Sequence, residues 1–302
     1  MISIIIPFYN EDANIMPLID EVVSVMDAQK KPYEVVLVDD GSTKKFEMHN
    51  VKYENIHLFS HRKRMGKGAA LKTGIAHAQG DILIFMDGDL QDDPRDIPHF
   101  LASIAEGNDL VNGIRTTRSD TFLIKFYSSF ANKVLRTLLK SPFTDINCGF
   151  KACRRTVLEE APLYANNFRF LPLWVALRGY RVSEVSVHNR KRIHGVSKFG
   201  ASKVFVGVLD LLTAYFVFRF AEKPLHFFGI IGGSLFGAGF LISLYLTIER
   251  LFYHVMLYRR PILWLGIVLM IIGIQFIMTG LIADLVVYHH KYPHTKSDSI
   301  EE

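Results

Sequence analysis

Ile82-Leu83-Ile84-Phe85-Met86-Asp87-Gly88-Asp89-Leu90-Gln91 is the stretch on which the fold turns. Five apolar residues in succession predict a short strand inside a covered sheet. The run stops at two carboxylates flanking a glycine, a composition that predicts a turn at the strand's carboxyl end. In open sheets of alternating strands and helices, ligands bind beyond such ends. Two carboxylates there can hold Mg2+ or Mn2+ through oxygen ligands, and Gln91 can add a carbonyl or orient a water. Taken alone, two acids in a turn are more often a solvated loop, so the rest of the chain has to support the reading.

Upstream, Ile2 to Ile6 is a β-branched run closed by Pro7, which predicts a first strand. Ile15, Leu18, Ile19, Val22, Val23 and Met26 follow helical spacing. Glu34 to Val38 predicts a second strand ending in Asp39-Asp40-Gly41-Ser42, and Ile56 to Phe59 a third. Leu71, Ile75 and Ala78 mark the next helix. Downstream, Asp109 to Ile114 predicts a fifth strand, residues 121–139 a helix, and the segments near 148–153 and 182–187 two further strands. The alternation predicts an α/β domain with a mainly parallel sheet. Pro7-Phe8-Tyr9-Asn10-Glu11 and Asp39-Asp40 then end neighbouring strands, as Asp87-Gly88-Asp89 does. A carboxylate in such a place can accept the ring N–H of a uracil or guanine, and a second can take a ribose hydroxyl. Each segment separately reads equally well as a turn or a helix cap. Three in the expected order are much harder to obtain by chance.

The carboxyl-terminal third differs in kind. Leu225 to Ile248 is 24 residues with no Asp, Glu, Lys or Arg and His226 alone as a basic side chain, and Ile262 to Ala283 is 22 residues with none. At about 1.5 Å per residue either can cross a hydrocarbon core of about 30 Å. Val204 to Phe218 carries Asp210 and is too short to span, so it predicts a helix lying at the membrane interface. Two spans return the chain to its starting side. Met1 to Pro7 has no basic n-region and too short an apolar run for a signal peptide, so the catalytic domain and the tail are expected on the cytoplasmic side. Arg190, Lys191, Arg192, Lys198, Lys203, Arg219 and Lys223 before the first span agree with this, whereas Arg250, Arg259 and Arg260 in the connecting loop do not. The 35 basic residues exceed the 30 acidic ones, a net charge of +5 that suits phosphate or an acidic lipid surface and equally suits ordinary solubility. Cys148 and Cys153 make no disulfide framework, which points to a reducing compartment.

These segments together resemble glycosyltransferase family 2, with its GT-A fold, and within it the polyprenyl-phosphate branch of dolichyl-phosphate mannose synthases and bactoprenol glucosyltransferases. The resemblance rests on Pro7-Phe8-Tyr9-Asn10-Glu11, Val38-Asp39-Asp40-Gly41-Ser42, Gly66-Lys67-Gly68-Ala69-Ala70-Leu71 and Asp87-Gly88-Asp89-Leu90-Gln91. It continues in Cys148-Gly149-Phe150-Lys151, Arg169-Phe170-Leu171-Pro172, Arg192-Ile193-His194-Gly195-Val196-Ser197-Lys198 and Lys223-Pro224-Leu225-His226-Phe227-Phe228-Gly229, and so covers nearly the whole chain.

The resemblance implies an inverting, metal-dependent transfer of one hexose from a nucleotide-sugar, of UDP-glucose or GDP-mannose type, to a polyprenyl phosphate at the cytoplasmic membrane face. It implies a GT-A domain over 1–200, an interfacial amphipathic helix over 201–222, a two-helix transmembrane anchor over 223–288 and a polar cytoplasmic tail over 289–302. Asp39 would bind the base, while Asp87, Asp89 and Gln91 would bind Mg2+ or Mn2+ and the diphosphate. Arg192, Ser197 and Lys198 would close over phosphates. Asp145 corresponds to a general base proposed in relatives, although a phosphate monoester with a second pKa of about 6 is already largely dianionic at neutral pH. Pro7, Tyr9, Glu11, Asp40, Lys67, Arg115, Lys125 and Arg169 complete the expected substrate site. Gly66-Lys67-Gly68 lacks the spacing of a Walker A loop and is expected to open a helix near the donor. A lipid bilayer is an expected partner, nucleic acid is not, and a homo-oligomer is compatible with the reading. Two rivals remain: a catalytically degenerate membrane scaffold, which the acids at 39, 87 and 89 argue against, and a processive polysaccharide synthase, which would need a Gln-x-x-Arg-Trp segment the chain lacks.

Overall fold

A computed structural model describes residues 1–46, 53–115, 143–146, 148–159, 167–190, 213, 216, 220, 223–253 and 261–291. The chain divides into two compact units, Met1–Ala214 and Tyr215–Glu302.

The first unit is built on a sheet with seven described strands: β1 (Ile2–Phe8), β2 (Tyr33–Asp39), β3 (Ile56–Ser60), β4 (Ile82–Phe85), β5 (Leu110–Arg115), β6 (Lys151–Arg154) and β7 (Val182–Val187). Their order is β3-β2-β1-β4-β6-β5-β7. β1 pairs in parallel with β2 and β4, β2 with β3, and β5 with β7. Among the described strands β6 alone runs antiparallel, to both β4 and β5. Between the strands lie α1 (Asp12–Gln29), α2 (Lys67–His77), α3 (Ile97–Ala105), α4 (Arg155–Glu159) and α5 (Leu171–Leu177).

Every residue of β1 is buried, as is every residue of β2 after Tyr33. Helices cover both faces of such a strand, which is why its sequence shows no alternation. α1 buries the stripe that the helical spacing predicts, Ile15, Leu18, Ile19, Val22, Val23 and Met26. These join Ile4, Ile6, Ile84, Phe100 and Phe150 in one hydrophobic core. The strand order reverses at β1, with β2 and β3 to one side and β4 to the other. Such a break leaves a crevice between the carboxyl ends of the two central strands. Residues 9–11 and 86–91 leave the sheet there.

One strand is shorter than expected. The run near 148–153 pairs only over Lys151–Arg154. The Cys148 carbonyl accepts from the Lys151 ammonium instead of joining the ladder. Both cysteines are buried free thiols, and burial pushes Cys148 up to about 12. The helix expected at 121–139 lies outside the described residues, as does most of the expected interfacial helix.

The second unit contains two long helices, α6 (Pro224–Tyr253, 30 residues) and α7 (Pro261–Lys291, 31 residues). Each starts on a proline, which the first helical turn accepts because its N–H would be unpaired anyway. Both are long and apolar enough to cross a membrane. Ile230, Leu241, Leu251, Trp264 and Val286 turn outward, an apolar surface suited to lipid. The two helices meet through glycine. A Cβ on Gly232 would lie 2.6 Å from the Gly273 carbonyl oxygen, and one on Gly239 would lie 2.5 Å from that of Gly266. In lipid, where helix association has little hydrophobic drive, close backbone approach supplies the packing. Gly273→Leu is therefore expected to destabilise the hairpin by about 1–3 kcal/mol, because the nearest atoms, the Gly232 carbonyl and the Phe236 N–H, are backbone and cannot swing away. Thermal unfolding in detergent micelles should show the loss, while Gly233→Leu, where a Cβ meets nothing within 4 Å, should show little change.

Candidate active site

The crevice is built first by the ends of β1 and β2. Asp39, buried at the end of β2, accepts the Ser42 N–H at 2.8 Å. Ser42 Oγ accepts the Asn10 N–H at 2.9 Å, and Asn10 Oδ1 accepts the Thr43 N–H at 2.8 Å. The turns after the two strands are thus tied together. Asn10 holds a φ of 55°, left-handed backbone that asparagine tolerates better than most residues. Pro7 is buried within β1, and Glu11 accepts from Asn14 Nδ2 at 2.5 Å at the start of α1. The Tyr9 ring lies under the Arg64 guanidinium at 4.4 Å.

Asp40 does something else. Its carboxylate accepts the N–H groups of Met65 at 2.9 Å and Gly66 at 2.8 Å, and it meets His61 Nδ1 at 3.0 Å. His61 Nε2 in turn meets Thr73 Oγ1 on α2 at 2.9 Å. Asp40 therefore shapes the 61–66 loop that leads into α2. Gly41 makes room for that loop: its φ is +71°, and a Cβ would fall 2.4 Å from the Lys63 carbonyl carbon. The loop delivers Lys67, whose ammonium pairs with Asp87.

The Asp87–Gln91 turn follows β4. A Cβ on Gly88 would sit 2.8 Å from Phe8 Cβ, so this glycine lets the turn pack on the end of β1. Asp89 Oδ1 accepts the Gln91 N–H at 3.2 Å, and Leu90 closes the turn with a φ of 59°. Burial works against ionising Asp87, but the charge and hydrogen bond of Lys67 more than offset this and hold its carboxyl below the ordinary value. On its other side Asp87 rests on the backbone of Gly149, where a Cβ would lie 2.8 Å from Oδ2. A third carboxylate, Asp92, accepts the Asp87 N–H at 3.1 Å. Burial and the Asp87 and Asp89 charges push it up to about 7.

Arg115, at the end of β5, and Asp145 come together as an ion pair. Arg115 Nε donates to Asp145 Oδ2 at 2.8 Å and Nη2 to Oδ1 at 3.1 Å. Arg169 belongs to the 3-10 turn Asn167–Phe170, which packs on the sheet through Phe168 against Phe85, with ring centroids 4.7 Å apart. Lys125, Arg192, Ser197 and Lys198 lie outside the described residues. The chain that leads to them is nevertheless anchored to the acidic turn. The Arg190 N–H donates to the Gln91 carbonyl at 2.8 Å, and the Arg190 guanidinium grips Glu21 and Asp93, each at 2.7 Å.

Sequence reasoning gave no site role to Asp92, to Gly149 or to the Asp93–Arg190–Glu21 clasp. For Asp92 and Asp93 a signal was present, since the acidic run continues past Gln91. The clasp joins residues far apart in sequence, and nothing local marks it.

The profile of the family described as Glycosyl transferase family 2 matches residues 3–161. The chain is 34% identical over 294 residues to a dodecaprenyl-phosphate galacturonate synthase of Rhizobium johnstonii, covering 94% of this chain and 87% of that protein. It is 30% identical over 292 residues to an undecaprenyl-phosphate 4-deoxy-4-formamido-L-arabinose transferase of Shewanella sediminis, covering 94% and 86%. Among solved structures, glucosyl-3-phosphoglycerate synthase from Mycobacterium tuberculosis in complex with Mn2+ and UDP-glucose has the same fold, with a TM-score of 0.58, 22% identity and coverage of 71% of this chain and 78% of that one. A mainly parallel sheet broken in order at β1, acids at the ends of its central strands, and kinship along nearly the full length place this chain in glycosyl transferase family 2, as a glycosyltransferase.

Proposed function

We propose that this glycosyltransferase moves one hexose from a nucleotide-sugar to a polyprenyl phosphate, with inversion at the anomeric carbon, at the cytoplasmic face of a membrane. The observation that carries the reading is the Asp87–Asp89 turn at the break in strand order, in a chain akin over 94% of its length to two proteins named as polyprenyl-phosphate sugar transferases. A UDP-sugar is the favoured donor, because a fold neighbour holds UDP-glucose with Mn2+. The cytoplasmic face follows from where nucleotide-sugars occur.

The residues fit a divalent cation. Asp87, Asp89 and Gln91 offer oxygen donors of the kind Mg2+ and Mn2+ prefer. Asp92 lies beside them and accepts the Asp87 N–H at 3.1 Å, a further carboxylate at the same turn. Among the described residues no group of three His, Cys, Asp or Glu side chains is placed to hold a metal unaided, so the donor diphosphate would complete the coordination. Once bound, the cation takes up charge on the leaving diphosphate.

The chain's own residues bind and orient. Asp39 would accept the base N–H, with Tyr9 beside the base, while Pro7 and Glu11 would shape the turn. Asp40 acts through the loop that carries Lys67. Two anions have to approach each other, and at about 4 Å their repulsion is of order 1 to 4 kcal/mol. Lys67 and Arg115 stand near Asp87 to offset it, and Arg192, Ser197 and Lys198 would close over the phosphates, with Lys125 and Arg169 alongside. Asp145 is engaged by Arg115 and serves to aim that guanidinium. The acceptor phosphate needs no base, since its second pKa is about 6.

The test uses the full chain in detergent, undecaprenyl phosphate, and UDP-glucose or GDP-mannose with Mn2+. Label from one donor should enter the lipid fraction, and NMR of the product should show a β linkage from an α-linked donor. An α-linked product would refute inversion. Lipid free of label with both donors would refute these two hexose donors, and diphosphate release that does not depend on added undecaprenyl phosphate would refute the polyprenyl-phosphate reading.

A further inference from the structure

Lys151 is fully buried, and the reading above gives it no role. Its ammonium donates to Asn112 Oδ1 at 2.7 Å, to the Ile146 carbonyl at 3.3 Å and to the Cys148 carbonyl. Three acceptors satisfy the three donors of an ammonium. Asn112 passes the connection on, because its Nδ2 donates to the Asp145 carbonyl at 2.9 Å. Glu184 on β7 accepts the Thr144 N–H at 2.9 Å and the Asp145 N–H at 3.3 Å. The described residues of 143–148 belong to no helix or strand. Backbone groups in such a segment still need partners once buried. Side chains from β5, β6 and β7 provide them here.

What that segment carries is the rim of the site. Asp145 holds Arg115 at 2.8 Å, and one residue beyond Cys148 the Gly149 backbone supports the Asp87 carboxylate. A neutral side chain of similar volume would fill the place of Lys151 without desolvating a charge. That desolvation is considerable, since burial lowers Lys151 to about 8. Packing alone therefore does not explain an ammonium at this place, whereas its three hydrogen bonds do.

We infer that Lys151 is a positioning residue for sugar transfer: from beneath the 143–149 segment it sets where the Arg115–Asp145 pair and the backbone under Asp87 stand. The inference rests on the proposed transferase reading. Lys151→Met and Asn112→Ala, made in the full chain, test it through nucleoside diphosphate release per folded enzyme with UDP-glucose, undecaprenyl phosphate and Mn2+, through UDP-glucose affinity, and through amide hydrogen exchange. Lys151→Met should lower kcat at least tenfold and change donor affinity less than threefold. It should also speed exchange at 143–150 at least tenfold, with the amides of β1 and β2 unchanged. Asn112→Ala should act in the same direction, and the double variant should be no worse than Lys151→Met, since the two side chains work as one unit. Turnover within twofold of the unmodified chain, additive effects, or unchanged exchange at 143–150 would each overturn the inference. If Lys151→Met fails to fold, Asn112→Ala carries the test alone, with the same limits on turnover and exchange. No diphosphate release from the unmodified chain with any donor would count against the transferase reading, and hydrogen exchange would still decide the role of Lys151.

Discussion

Asp89→Asn should leave the protein folded and cut transfer by about a thousandfold or more, a loss of some 4 kcal/mol of transition-state stabilisation. The carboxylate lies in a partly exposed turn, where Oδ1 accepts the Gln91 N–H at 3.2 Å. An asparagine oxygen can accept the same hydrogen bond, so the turn loses little. What the amide lacks is the charge to offset a divalent cation. Chelation by EDTA should therefore reproduce the defect in the unmodified enzyme, and added Mn2+ should restore activity there but not in the variant. Circular dichroism and transfer measured on the same samples separate folding from chemistry. Unmodified enzyme that keeps full activity in EDTA would refute the metal role of the whole turn.

Gly149→Ala should have the next largest effect, and for a geometric reason. A Cβ at this position would fall 2.8 Å from Asp87 Oδ2, 3.1 Å from Cγ and 3.3 Å from Oδ1. Separations that short are not sustained, so something must move. The mobile partner is the Asp87 carboxylate itself, together with the Lys67 ammonium paired with it. The fold should tolerate the change, because Gly149 is not among the glycines with left-handed backbone. A displacement approaching 1 Å at a reacting centre can cost about a hundredfold in rate. Turnover is thus expected to fall between about ten- and a hundredfold, with weaker apparent affinity for Mn2+ and a thermal midpoint close to that of the parent. Turnover and Mn2+ dependence equal to those of the parent would mean that the position of Asp87 does not govern the reaction.

Much of this architecture was legible in the chain because it is written in local terms. A β-branched run such as Ile2 to Ile6 and the continuous apolar stretch Val35 to Val38 have few ways to bury themselves except as covered strands. The spacing from Ile15 to Met26 marks one face of a helix, and that face is the one buried. Acids directly after such strands fall at the carboxyl ends of a parallel sheet, where ligands bind. The two apolar runs near the carboxyl end define helices by length alone, and those helices continue past the runs, to Tyr253 and Lys291.

Other features depend on which strands become neighbours. Read as a strand-end acid, Asp40 was assigned to substrate; its partners His61, Met65 and Gly66 become visible only when the 61–66 loop folds back onto Gly41. Arg115 and Asp145 each looked like an independent site residue, one a cation for phosphate and the other a base. The structure pairs them across 30 positions of sequence, so that each fixes the other.

By itself the sequence determined the strands, the helical faces, the acidic turns and the paired apolar segments, because burial, backbone geometry and turn chemistry act over a few residues. Only the tertiary structure decided that Lys67 meets Asp87, that Gly149 lies under it, and that Lys151 and Arg190 secure the ground on either side. Those contacts arise from the order β3-β2-β1-β4-β6-β5-β7. That order sets the antiparallel β6 between β4 and β5, and so brings the Gly149 backbone beneath a carboxylate more than 60 residues earlier in the chain.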